Sequence, residues 1–119
     1  MPRPNLLAIS VNETLGTRPN VYEAVRWSWK VSLKRAEEVG LVLATYHGKV
    51  IGVFEPTEWF LATVERIPAL ATDPIGPRAG RYAFVGHEAP DKVAARYLGR
   101  LIERKRGAQN PIRYLHELA

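Results

Sequence analysis

The chain has no cysteine, and that one absence removes disulfides, thiolate zinc sites and cysteine nucleophiles together. Packing and hydrogen bonds alone must hold the fold. No window approaches the roughly 20 consecutive apolar residues that cross a bilayer. The opening Met-Pro-Arg-Pro-Asn lacks the apolar stretch of a secretory signal, so a soluble, cytoplasmic protein is expected. Neither G-x-x-x-x-G-K-[ST] nor G-x-G-x-x-G occurs, which excludes the standard phosphate-loop enzymes. The only imidazoles, His47, His87 and His116, are too widely spaced for a recognisable metal motif, and no cofactor is expected. Ser10, Ser28 and Ser32 lack the G-x-S-x-G elbow of a hydrolase.

What is present fits one globular domain spanning residues 1–119. Of these residues 46% are hydrophobic and 24% charged, enough to bury a core. Seventeen basic residues face twelve acidic ones, a net charge of +5. Twelve of the seventeen are arginine, whose forked donors suit phosphate. The excess is uneven: +3 over residues 1–49, −3 over 50–77, +6 over 78–113 and −1 in the tail. A basic last third makes a polyanion a natural partner, because neutralising phosphates releases counterions.

Along the chain, the apolar run 6–11 reads as a buried strand. Residues 21–26 read as a two-turn helix, with Val21, Ala24 and Val25 on one face. Residues 27–31 form a connector, and Ser32 caps a second short helix that Gly40 stops. Two strands, 41–46 and 50–54, flank His47-Gly48 as a β-hairpin. The second can run on to Trp59-Phe60, with Pro56 marking a bulge or an edge. Residues 62–80 read as a long loop, 81–85 as a strand, 90–98 as a helix, 100–104 as a candidate strand and 111–115 as a last strand or turn. Short strands and small helices in this order predict an α+β fold, a curled and mostly antiparallel β-barrel flanked by short helices.

The residue choices that carry chemistry are few. Trp27 and Trp29 can both be core, or one indole can present a face on which a base stacks, with Asn12 reading hydrogen-bonding edges. Trp59 is a further candidate wall, or closes the barrel. Arg104, Lys105 and Arg106, with Arg100, suit phosphates, while Asn110 and Arg113 order the turn or touch the ligand; a solvated basic turn is the plainer alternative. Glu23 with Lys30 and Lys34 is a conceivable acid–base set, although such charges usually face solvent.

Taken in order over residues 8–114, these segments resemble the PUA-like superfamily in its EVE/YTH branch: 21–32, the hairpin ending Gly52-Val53-Phe54, Arg81 to Gly86, and Gly107 to Tyr114. Ser10-Val11-Asn12 resembles the strand-end motif of YTH domains. Trp29-Lys30-Val31-Ser32 is similar to their Trp-Cys-Ser stretch, whose tryptophan walls a methyladenine cage. Arg81 to Val85 resembles their Arg-Trp-Ile-Phe-Val strand. The resemblance implies a compact barrel with a pocket for one flipped or unpaired base, DNA or RNA, bounded here by Asn12, Trp27, Trp29, Ser32 and Trp59. It departs from the pattern in one place: residues 61–80 contain no aromatic, so the second cage wall would fall to Trp59 or Trp27. The expectation is therefore a non-enzymatic nucleic-acid-binding module, with a nuclease or methyltransferase as its candidate protein partner. The alternatives are an ASCH-type hydrolase acting on an acyl-modified nucleoside, whose Gly-x-Lys-x-x-Glu-x-Arg signature is absent, and a domain that docks on a protein in a nuclease or restriction system.

Overall fold

Every residue of β1 (Leu6–Ser10) is apolar except the last, and the computed structural model shows why: both faces of the strand are covered. Leu7 and Ile9 enter one apolar cluster with Val11, Val42 and Ala44, whereas Leu6 and Ala8 enter another with Leu43, Val50 and Val53. Successive side chains point to opposite faces, so a strand buried on both sides reads as a continuous apolar run without alternation. The structure describes residues 5–73, 80–102 and 111–115.

After β1 the chain crosses over through α1 (Val21–Arg26), β2 (Trp27–Trp29) and α2 (Leu33–Glu38) before returning as β3 (Leu41–Tyr46). Both helices start on side-chain caps. Asn20 accepts the Glu23 N–H at 2.8 Å, and Ser32 accepts that of Arg35 at 3.4 Å. The crossover makes β1 and β3 a parallel pair, with Leu6 beside Leu41 and Ser10 beside Thr45. Then β3 and β4 (Lys49–Leu61) form the expected hairpin. At its turn His47 has φ 49° and Gly48 φ 83°, the left-handed pair that matches the twist of the strands.

The register of β4 against β5 (Tyr82–Glu88) shifts between Pro56 and Glu58, the bulge that Pro56 signals. Next come α3 (Asp91–Ala94) and β6 (Ile112–Leu115). The strand order is β2-β5-β4-β3-β1-β6, all neighbours antiparallel except β1 and β3, and this mixed sheet curls into a half-barrel with a few short helices. The α+β class and the curled, mostly antiparallel sheet agree with expectation; in place of a barrel the described residues form a half-barrel, with β2 and β6 the two ends of the sheet.

Three local expectations change. Trp27–Trp29 is a strand rather than a connector, paired with β5 across an irregular register. The long loop contains a 3₁₀ turn, Pro68–Ala71, that buries Leu70. The helix expected over 90–98 is regular only through Ala94 and unwinds to Gly99, whose φ of 83° ends it. Beyond it, the predicted strand is represented by one antiparallel bridge, Lys49 to Leu101. Its last two positions, with Arg104, Lys105, Arg106 and Asn110, lie outside the described residues.

Candidate nucleic-acid interface

The expected base-stacking platform is part of the core. Trp29 is 5% exposed and packs with Val25, Phe54 and Phe84, and its Nε1 donates to the Val25 carbonyl at 2.7 Å. Trp27 is 2% exposed and joins a different cluster with Phe60 and Leu70. Its Nε1 donates to Glu23 Oε1 at 3.0 Å, and the Arg18 guanidinium lies 3.7 Å from its ring centre. A buried indole needs a partner for its one polar atom, and α1 supplies one to each. Neither ring presents an open face to a guest base, which corrects the pocket assigned to Trp27 and Trp29. Ser32 is committed to its cap on α2. Glu23, the conceivable catalytic acid, also accepts from Arg26 Nε at 2.9 Å, so both of its oxygens are engaged.

Trp59 occupies a different setting. It lies on β4, tilts against Phe84 at 5.0 Å, and is 8% exposed, with its Nε1 buried and unpartnered among the described residues. It walls a cavity of about 220 Å³ together with Glu37, Val39, Pro56, Thr57 and Glu58. Glu58 is paired with Arg66 at 3.1 Å, and no lining residue is basic. Two carboxylates at this mouth, Glu37 and Glu58, oppose a phosphate.

Asn12 is not part of this cavity. The side-chain oxygen of Asn12 accepts the backbone N–H of His47 at 2.8 Å, which places Asn12 behind the β3–β4 turn rather than beside Trp59 in the cavity. At this turn the rings of Tyr46 and His47 meet edge to face, 4.3 Å apart at 66°. Tyr46 is 39% exposed although Val42 to Thr45 before it are buried. Lys49 stands directly across the hairpin from Tyr46, and Leu101 stands across from Lys49 on the other side. Directly opposed residues share a sheet face, so an aromatic ring, an ammonium and an aliphatic side chain form a row. Arg100, also exposed, is held at this edge by its carbonyl, which accepts the Val50 N–H at 2.9 Å. Arg113 is exposed on β6, opposite Ala8.

Sequence reading had the turn and had Asn12, but it missed Tyr46, His47 and Lys49. The available signal was an aromatic placed immediately before a His-Gly turn and a lysine immediately after it. Among the described residues no group of three or more His, Asp or Glu side chains is arranged to hold a metal ion, and no helix is long and apolar enough to cross a membrane. Compared with known proteins, the chain gives no significant match to any family model, curated protein or solved structure.

Proposed function

We propose that this chain is a nucleic-acid-binding module of PUA-like type, without catalytic activity, whose contact surface is centred on the β3–β4 turn. The observation that carries this reading is the exposed Tyr46–His47 ring pair across the hairpin from Lys49, in a chain of net charge +5. Cations bind the backbone whatever the sequence, and aromatic rings beside them give bases a surface to stack on. The α+β half-barrel, with its helical crossover between the parallel β1 and β3, supports the PUA-like assignment. Reading of a methylated base depended on Trp29, and with that ring packed inside, the proposal keeps nucleic acid as partner and transfers the contact to the turn. The hydrolase reading loses its acid, because Glu23 is held by Trp27 and Arg26.

The test is fluorescence anisotropy with labelled oligonucleotides across a salt series. Affinity should fall linearly on logarithmic axes, and Lys49→Ala should weaken all sequences alike while lowering the slope by about 1. Failure of every oligonucleotide to bind at low salt would end the proposal.

A further inference from the structure

Resting on that nucleic-acid reading, we infer that the turn engages a single strand, with one unpaired base laid on the Tyr46 ring. Tyr46 is the one exposed residue of β3, at the last position of the strand before the turn. The residue is 39% exposed and lies in one row with Lys49 and the exposed Leu101, so apolar surface and a cation face solvent together.

The backbone next to the ring is also tied down. The ring meets His47 edge to face, and His47 is itself held in a left-handed conformation by the Asn12 hydrogen bond to its backbone N–H. Histidine tolerates this conformation better than most residues, so the device costs little. A platform ordered before its guest arrives loses less entropy on binding than a loose one. Lys49, on the same face one strand over, lies where the backbone of a strand stacked on Tyr46 would pass.

The geometry discriminates between nucleic-acid forms. Inside a duplex both faces of each base are covered by neighbouring pairs, so a protruding ring has nothing to stack on, whereas the bases of a single strand can splay out. A duplex could still use the cations of this surface through its phosphates. Only the unpaired strand uses both the ring and the charge.

The experiment compares a single strand of about 12 nucleotides, within the usual range of site sizes, with a duplex of the same length, in DNA and RNA versions. The parent protein should bind the single strand more tightly. Tyr46→Ala should weaken single-strand binding by roughly tenfold, within the range of one lost stacking contact, and leave duplex binding unchanged. Tyr46→Phe should retain it to within about twofold, since the ring face is kept. Amide shifts of His47 and Lys49 in the parent protein, on titration with the single strand, check the location without any substitution. Equal, salt-dependent binding of both forms with Tyr46→Ala indifferent would overturn the single-strand inference and leave the nucleic-acid reading standing. Absence of binding to either form would overturn both. Unmoved His47 and Lys49 amides under saturating strand would place the contact elsewhere and overturn this inference alone.

Discussion

Asn12 and His47 are 35 residues apart in sequence, yet the side chain of one holds the backbone of the other at 2.8 Å. The contact follows from the parallel pairing of β1 and β3, which brings the exits of both strands to the same end of the sheet. There the Val11 N–H reaches the Thr45 carbonyl at 2.8 Å, and Asn12 and His47, one and two residues further along their strands' exits, complete the junction. A polar residue just past a buried strand thereby sets the conformation of a turn made by another part of the chain.

Replacing Asn12 by alanine should cost about 1 kcal/mol, the usual net worth of one hydrogen bond. The loss should be local as well as global: hydrogen exchange at the His47 amide should accelerate more than at amides within β3. Asn12→Asp keeps the acceptor oxygen and should stay close to the parent in both measurements. Equal exchange rates in the parent and Asn12→Ala would show that the turn holds its shape unaided.

Ser28 has φ 73°, in the region that favours glycine, and its buried hydroxyl has no partner among the described residues. It lies between Trp27 and Trp29, where the register against β5 shifts, and this kink is what sends the two indoles into different clusters. Relief of the strain and of the unsatisfied hydroxyl should outweigh the entropy glycine adds to the unfolded chain. Ser28→Gly is therefore expected to stabilise the protein by about 1 kcal/mol in chemical denaturation. Ser28→Ala removes only the hydroxyl and should gain less. A Ser28→Gly protein less stable than Ser28→Ala would rule out backbone strain as the dominant cost.

Features of the fold that arise from neighbouring residues were legible in the sequence. The His47-Gly48 turn, the Pro56 bulge and the Ser32 start of α2 each depend on residues within a few positions of one another. What depends on distant partners was not. The parallel β1–β3 pairing rests on a crossover of some 30 residues, and β2 is too short to show a period. The two tryptophans illustrate the difficulty for the site. An indole suits a core and a ligand platform equally, and only the carbonyl of Val25 and the carboxylate of Glu23, both on α1, decide for the core. Tyr46 belongs to an apolar run in the sequence, and its place as the last residue of β3, next to the turn, is what leaves it exposed.

Gly86 is required by a close approach, not by its backbone angles. It stands opposite Pro56 at the β4 bulge, where a Cβ would run into the Glu55 carbonyl and the Pro56 backbone. Its N–H donates to the Tyr22 hydroxyl at 3.0 Å, tying α1 to the sheet at the bulge. Backbone cannot yield as a flexible side chain can, so Gly86→Ala should destabilise by about 2 kcal/mol or more in thermal or chemical unfolding. Tyr22→Phe, which keeps the ring against Phe54 and Phe84 and loses only the hydroxyl, should cost about 1 kcal/mol. A Gly86→Ala variant as stable as the parent would mean that β4 and β5 can separate at the bulge without penalty.

Arg35 and Tyr114 meet between α2 and β6. The Arg35 guanidinium sits 3.9 Å from the centre of the Tyr114 ring. Burial pushes the Tyr114 phenol above its ordinary value, and the charge of Arg35 and the Ser32 backbone draw it back only in part. The raised value means that on alkaline titration the unfolded chain gives up this proton first, near pH 10. Below that pH both states hold the proton and the contribution of Tyr114 to stability is intact; as pH rises from about 10 through the folded value, the unfolded state binds fewer protons and stability falls. Urea denaturation of the parent from about pH 8 to 11 should show this decline over the background of the other tyrosines. Tyr114→Phe cannot ionise and keeps a ring beneath Arg35, so its stability should fall less steeply above pH 10 while the two proteins respond in parallel below it. Parallel curves above pH 10 as well would show that the phenol ionises equally easily in the folded and unfolded chains.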